Sequence, residues 1–178
     1  MKILVTGANG FVAKNLIQFL AEKPKVEVLK LYRDSTAQEL EQMVLDADWI
    51  VHLAGVNRPQ HDSEFIEGNV SLTESICEIL RQHQKQTPII LSSSIQAERD
   101  NVYGKSKLGG EQALNKLNQQ NGNPIYISRM VNIFGKWSKP NYNSAVATFC
   151  YNIANDLPIQ INDENAAIRL VYIDDVVE

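Results

Sequence analysis

Tyr103 and Lys107, four residues apart, are side chains whose types and spacing could move a proton. If Tyr103-Gly104-Lys105-Ser106-Lys107 opens a helix, both lie on one face, about 6 Å apart along its axis. A phenol with a pKa of about 10 is a poor proton shuttle at neutral pH, and a neighbouring ammonium stabilises the phenolate and draws that value down. Alone, Tyr-x-x-x-Lys is a common pattern. A second part comes from Ser92-Ser93-Ser94 at the end of a β-rich run over 88–93. Open α/β folds place ligands at that edge of the sheet, so a hydroxyl there can hydrogen-bond a substrate carbonyl and polarise it.

A third part lies at the start of the chain. The apolar run Ile3-Leu4-Val5 passes through Thr6 into Gly7-Ala8-Asn9-Gly10-Phe11-Val12-Ala13 and then into a helical stripe. Gly7 and Gly10 therefore stand where a strand turns into a helix. Without a Cβ they let a pyrophosphate approach the backbone, and the helix N-terminus offers N–H groups and a positive dipole end. A first strand, an amphipathic helix and a second strand make the context a dinucleotide requires. Ala13 stands where a third glycine is often found, and that position serves helix packing. The second strand ends Leu31-Tyr32-Arg33-Asp34, with no acid at its tip. An acid there would bind the adenosine ribose hydroxyls, whereas Arg33 can pair with a 2′-phosphate, which favours NADP over NAD. A solvated Arg33 paired with Asp34 is the plain alternative.

These parts need a sheet to hold them. β-Rich runs at 2–6, 26–32, 48–54, 88–93 and 124–129 alternate with segments of helical period, so the expected fold is a doubly wound parallel α/β sheet. Val12, Leu16 and Leu20 with Ala13 and Ile17 form one apolar stripe, and Ile66, Val70, Thr73, Cys77 and Leu80 form another. Both read as core. Leu170 to Ile173 reads as a further strand and Asp174-Asp175 as a helix start. The helix has barely begun at Glu178, so the chain reads as a piece of a longer one.

The 178 residues carry 17 Lys+Arg against 21 Asp+Glu, a net charge of −4 that gives no reason to track a nucleic-acid backbone. No run is long enough for a signal segment or membrane span, so no membrane partner and a cytoplasmic location are expected. Cys77 and Cys150 read as two reduced, packed thiols. His52, His61 and His83 form no metal set: a buried strand, a polar loop and a helix end suit structural or solvated roles, and no metal site is expected. Trp49 reads as packing, and Trp137 equally as a local core plug or a surface for stacking a base. The polar loop 56–64 is a candidate binding loop or a plain crossover.

Taken in order, Thr6-Gly7-x-x-Gly10-x-x-Ala13, His52-Leu53-Ala54-Gly55, Asn69, Ser92 to Ser94, Tyr103-x-x-x-Lys107 and Arg129-x-x-Asn132-x-x-Gly135 resemble the extended short-chain dehydrogenase/reductases that act on nucleotide sugars. The stretches His52 to Pro59 and Phe134 to Ser144 resemble one branch more closely, the bacterial capsular-polysaccharide UDP-sugar 4-ketoreductases. Members of that branch carry a C-terminal zinc cupin, and this chain contains none. The resemblance implies that Gly7, Asn9, Gly10, Phe11 and Val12 cradle the pyrophosphate, Arg33 the 2′-phosphate, and Leu53, Ala54 and Gly55 the adenosine side of NADP(H). Tyr103 would be the acid and base, and Lys107 would bind the nicotinamide ribose while lowering the Tyr103 pKa. Ser94 would hold the carbonyl, with Ser93 as the alternative. Asn132, Lys136 and Lys139 would hold the diphosphate of the sugar nucleotide. Arg129 matches a family position but suits a structural ion pair nearly as well. Arg169 lies one residue out of the family's register and is left out of the site.

On these grounds residues 1–178 would form an NAD(P)-binding reductase domain, with 132–178 beginning a substrate-binding part. The implied activity is NADPH-dependent reduction of the C4 ketone of a UDP-2-acetamido-2,6-dideoxy-hexulose, on the route to UDP-N-acetyl-L-fucosamine for capsule or O-antigen. Rival readings are an epimerase or 4,6-dehydratase that retains NAD, and a non-catalytic NADP-binding fragment. Against the first, Ile95-Gln96 stands where dehydratases carry Asp-Glu; against the second, Tyr103 and Lys107 are both kept. Relatives pair through their helices, so a homodimer is a candidate assembly, although such stripes serve equally as a monomer's core.

Overall fold

The structure is a computed structural model that describes residues 1–57, 61, 65 and 67–178. Two compact units divide the chain, Met1–Met130 and Val131–Glu178. The first is built on five parallel strands, β1 (Lys2–Thr6), β2 (Glu27–Leu31), β3 (Trp49–His52), β4 (Ile89–Ser94) and β5 (Ile125–Met130), in the order β2-β1-β3-β4-β5. The sheet order reverses direction beside β1, because β2 lies on one side of it and β3 on the other. Parallel register aligns Thr6 with Leu31 and with His52, so the segments after β1, β2 and β3 emerge at one edge.

Alternating side chains send Ile3 and Val5 to one face and Leu4 to the other. Ile3 and Val5 pack with Ala13 of α1 (Phe11–Ala21), and Leu16, Ile17 and Leu20 close over them. Leu4, Ile50, Ile89 and Leu91 pack against Val44 of α2 (Ala37–Asp46), Ile76 and Leu80 of α3 (Leu72–Gln82) and Leu114 and Leu117 of α4 (Val102–Asn121). Helices on both faces explain why these strands read as nearly continuous apolar runs. The second stripe of the sequence differs from the single helix it suggested. A π-helical turn, Glu67–Ser71, precedes α3, so Val70 and Asn69 belong to the turn while Thr73, Cys77 and Leu80 face the core. Ile66 and most of the 56–64 loop lie outside the described residues.

The second unit holds β6 (Asn132–Phe134) and β7 (Leu170–Tyr172), paired in parallel, with α5 (Ala145–Ala154) between them and α6 (Ile173–Val177) after. The sequence pointed to β7 and to the helix after it, but β6 and α5 went unread. Cys77 is buried as expected, whereas Cys150 on α5 is exposed, which corrects its reading as a packed thiol. Among the described residues, no helix is long and apolar enough to cross a membrane.

Candidate functional site

Three segments at the strand tips of the first unit build the site. Between β1 and α1, Gly7 adopts φ +66, a left-handed backbone that side chains disfavour, and a Cβ there would lie 2.8 Å from the Ala54 Cα. Gly7 is thus needed for the turn and for the close approach of the segment after β3. At Gly10 a Cβ would meet only the Gly7 carbonyl, at 3.0 Å. Gly10 is also the N-cap of α1, with no side-chain cap and no acid in the first turn. By contrast, Thr36 with Glu39 caps α2 and Asn101 caps α4. A glycine cradle at an uncapped helix start fits a pyrophosphate, so the residues present suit a dinucleotide. Asn9, Phe11 and Val12 complete this turn. At the tip of β2, Arg33 is exposed, and among the described residues no ion pair joins it to Asp34.

After β3, Leu53 and Ala54 donate their amides to Thr6 Oγ1 at 3.1 and 3.0 Å. The same oxygen lies 2.7 Å from His52 Nδ1, and His52 Nε2 lies 2.9 Å from Thr73 Oγ1. Full burial, with the charge of Lys107 adding to it, drives the His52 pKa down to about 3, so the imidazole is neutral. Next to it Asn69 accepts from the Val56 amide and donates to the Val56 carbonyl and to Ser106 Oγ, which donates to the Tyr103 carbonyl. A Cβ on Gly55 would stand 2.7 Å from Asn69 Oδ1 and 3.1 Å from Lys107 Nζ. Leu53, Ala54, Gly55 and Lys107 are therefore neighbours in the folded chain.

At the end of β4 the two adjacent serines part ways. Ser93 is buried and donates to Glu111, whereas the Ser94 hydroxyl takes part in a hydrogen bond with the Tyr103 side chain and accepts the Gln96 amide at 3.2 Å. Phe65 lies against the Tyr103 ring, centroids 5.6 Å apart. Gly104 allows this approach: a Cβ there would stand 2.2 Å from the Gln96 carbonyl of the 3₁₀ turn Ile95–Glu98. Burial pushes the Tyr103 pKa up and the Ser94 bond opposes it. This corrects the expectation that Lys107 lowers it, because the Lys107 ammonium donates instead to the Ser92 carbonyl at 3.1 Å. Burial brings the Lys107 pKa down to about 8, with Glu111 working against that fall.

Arg129 forms an ion pair. Its Nε and Nη2 meet the Glu111 carboxylate at 3.0 and 2.7 Å, and Nη1 meets Glu98 at 2.7 Å. Burial disfavours the Glu111 carboxylate, but the bonds from Arg129 and Ser93 outweigh it and hold its pKa below the usual range. Glu111 escaped the sequence reading, although its place four residues after Lys107, on the same helix face, was the available signal. The role of Thr73 and the constraint on Gly104 were missed as well. His83 caps α3 and pairs with Glu41 at 3.2 Å, and Trp49 stacks on Tyr126.

Within the second unit, the Asn132 side chain donates to the Arg169 carbonyl at 3.2 Å. Lys136 lies over the Trp137 ring and Lys139 over the Tyr142 ring, at 4.8 and 5.7 Å. Trp137 is half exposed, which is not the burial of a core plug.

Residues 3–178 match the NAD dependent epimerase/dehydratase family. The chain belongs to that family. Over 177 residues it is 54% identical to the UDP-2-acetamido-2,6-beta-L-arabino-hexul-4-ose reductase of Pseudomonas aeruginosa, covering 99% of this chain and 48% of that protein. The crystal structure of the capsular polysaccharide assembling protein CapF from Staphylococcus aureus superposes with a TM-score of 0.88 at 52% identity, over 99% of this chain and 48% of that one. This epimerase/dehydratase chain thus spans about half the length of both relatives. UDP-glucuronic acid 4-epimerase from Bacillus cereus, crystallised with NAD, has a TM-score of 0.87 at 22% identity over 99% of this chain and 72% of that one, a likeness of fold alone. Family membership implies a nicotinamide dinucleotide as the cofactor.

Proposed function

We propose that this chain is the dinucleotide-binding reductase domain of a nucleotide-sugar 4-ketoreductase, with residues 132–178 beginning its substrate-binding part. It uses NADPH to reduce the C4 ketone of a UDP-2-acetamido-2,6-dideoxy-hexulose, on the route to UDP-N-acetyl-L-fucosamine for capsule or O-antigen. What carries the reading is the 54% identity to a named reductase along 99% of the chain. The site chemistry supports it. Gly7, Asn9, Gly10, Phe11 and Val12 hold the pyrophosphate, Leu53 to Gly55 the adenosine side and Arg33 the 2′-phosphate. Asn132, Lys136 and Lys139 hold the diphosphate of the sugar nucleotide.

When bound, the reduced nicotinamide supplies the hydride that becomes the new C4–H bond. Ser94 donates a hydrogen bond to the ketone oxygen and polarises it. Tyr103 then gives its proton to that oxygen as negative charge gathers there. Because burial raises the Tyr103 pKa, the phenol is protonated at neutral pH, the form a proton donor needs. Lys107 binds the nicotinamide ribose with its ammonium.

The test is NADPH oxidation with the 4-keto sugar nucleotide. Tyr103→Phe should lower kcat by about 10²-fold or more while NADPH binding is unchanged. Equal turnover in both proteins would remove Tyr103 from the mechanism, and NAD retained stoichiometrically through purification would favour an epimerase or dehydratase instead.

A further inference from the structure

Lys107 sits where an ammonium is expensive to keep. Burial alone carries it toward its neutral form, yet the bond to the Ser92 carbonyl and the proposed ribose contact both call for the ammonium. The groups facing Lys107 supply little charge from most sides. From β3, His52 is neutral; from the π-helical turn, the uncharged Asn69 amide lies with Lys107 beside Gly55; from β4, the contact is the Ser92 carbonyl. On its own helix Tyr103 is a phenol one turn before it, and Glu111 is an anion one turn after it. Arg129 of β5 and Glu98 of the 3₁₀ turn lie beyond Glu111, paired with each other and with it.

The Glu111 carboxylate is built in. Its side chain is only 5% exposed, and it takes two bonds from Arg129 and one from Ser93, the residue before Ser94. One carboxylate therefore joins α4, β4 and β5, through Ser93 and Arg129. We propose that Glu111 is a positioning residue of the site, the counter-charge that keeps Lys107 an ammonium and the tie that holds the tip of β4 against α4. Ser93 and Arg129 act through it: they keep the carboxylate ionised and aimed in a place where it would otherwise take up a proton. The inference rests on the proposed roles of Tyr103 and Lys107 for its catalytic meaning, but the charge coupling itself can be read without cofactor or substrate.

The experiment is a pH titration of Lys107 in the cofactor-free chain, followed by NMR of ε-¹³C-labelled lysine and assigned with Lys107→Met. The wild-type midpoint is expected near about 8. In Glu111→Gln, which keeps shape and hydrogen-bonding capacity, the midpoint should move to lower pH. Ser93→Ala, which keeps the charge, should leave it in place. If Glu111→Gln does not fold, Glu111→Gln/Arg129→Gln exchanges the ion pair for two amides and strands no guanidinium, and its midpoint should lie below that of Arg129→Gln, from which it differs only by the carboxylate. The pH dependence of NADPH binding, followed by its fluorescence, should shift with the lysine midpoint. An unmoved midpoint in the folded variants, or an equal move in Ser93→Ala, would overturn the counter-charge role. Failure of the wild-type chain to bind NADPH would instead count against the proposed function, because the lysine titration is independent of it.

Discussion

Replacing Thr73 by Val should break a buried chain of hydrogen bonds whose direction the structure determines. The Thr73 hydroxyl has one proton and gives it to the Asn69 carbonyl at 3.0 Å. Toward His52 Nε2, 2.9 Å away, it can then only accept, so Nε2 carries the imidazole proton. Nδ1 is left as the acceptor, and Thr6 Oγ1 donates to it at 2.7 Å while receiving the amides of Leu53 and Ala54. Valine has nearly the shape of threonine, so the change opens no cavity. It orphans a fully buried imidazole N–H, at about 1–3 kcal/mol, and deletes the bond to Asn69, at about 1 kcal/mol. The total, about 2–4 kcal/mol, corresponds to a Tm lower by roughly 4–16 °C for a chain of this size. Urea denaturation at neutral pH measures it, with Thr73→Ser as control, which keeps the hydroxyl and loses one methyl group for about 1 kcal/mol. A valine variant as stable as wild type, or more stable than the serine variant, would refute the reasoning. So would a long-range ¹H–¹⁵N spectrum that finds the His52 proton on Nδ1.

Acid should weaken the fold through the same residue. His52 has its pKa lowered from 6.5 to about 3, so the unfolded chain binds the extra proton first. Stability is then fully present above pH 6.5 and falls as pH drops toward 3, by up to about 5 kcal/mol from this group. A urea midpoint flat over that window would contradict the neutral buried imidazole. Gly7→Ala should destabilise by roughly 2–5 kcal/mol, from the left-handed backbone and the crowding against Ala54. Gly10→Ala should cost little stability but weaken NADPH binding, and denaturation paired with fluorescence titration checks both; undiminished binding in Gly10→Ala would put the pyrophosphate elsewhere. Arg33→Ala should weaken NADPH binding by roughly 10–150-fold, the loss of one charge-assisted hydrogen bond, and leave NADH unchanged. An equal loss for both dinucleotides would remove Arg33 from the 2′-phosphate.

Period and punctuation made the sheet legible. Strands buried on both faces appear as unbroken apolar runs, and glycines at a strand-to-helix turn leave a local signature, so β1 to β5, α1 and the Gly7–Gly10 turn could all be read along the chain. Tyr103 and Lys107 were legible for the same reason, since four residues on a helix is a local fact. The π-helical turn was not, because an extra residue in one helical turn hardly disturbs an apolar stripe. Nor were β6 and α5, since a three-residue strand and a short helix carry little periodic signal.

What residue order could not decide is how charge and protons are shared among groups far apart in the chain. Whether Ser93 or Ser94 meets Tyr103 depends on which way β4 faces α4, and the packing turns Ser93 to Glu111 and leaves Ser94 for the phenol. That Tyr103 is shifted up rather than down follows from burial under Phe65 and from the turn of Lys107 toward Ser92, neither of which is local. The sequence by itself determined which groups stand at the sheet's edge. Only the tertiary structure decided their protonation, because the free energy of a charge depends on the solvent it loses and the partners it meets once the chain has closed around it.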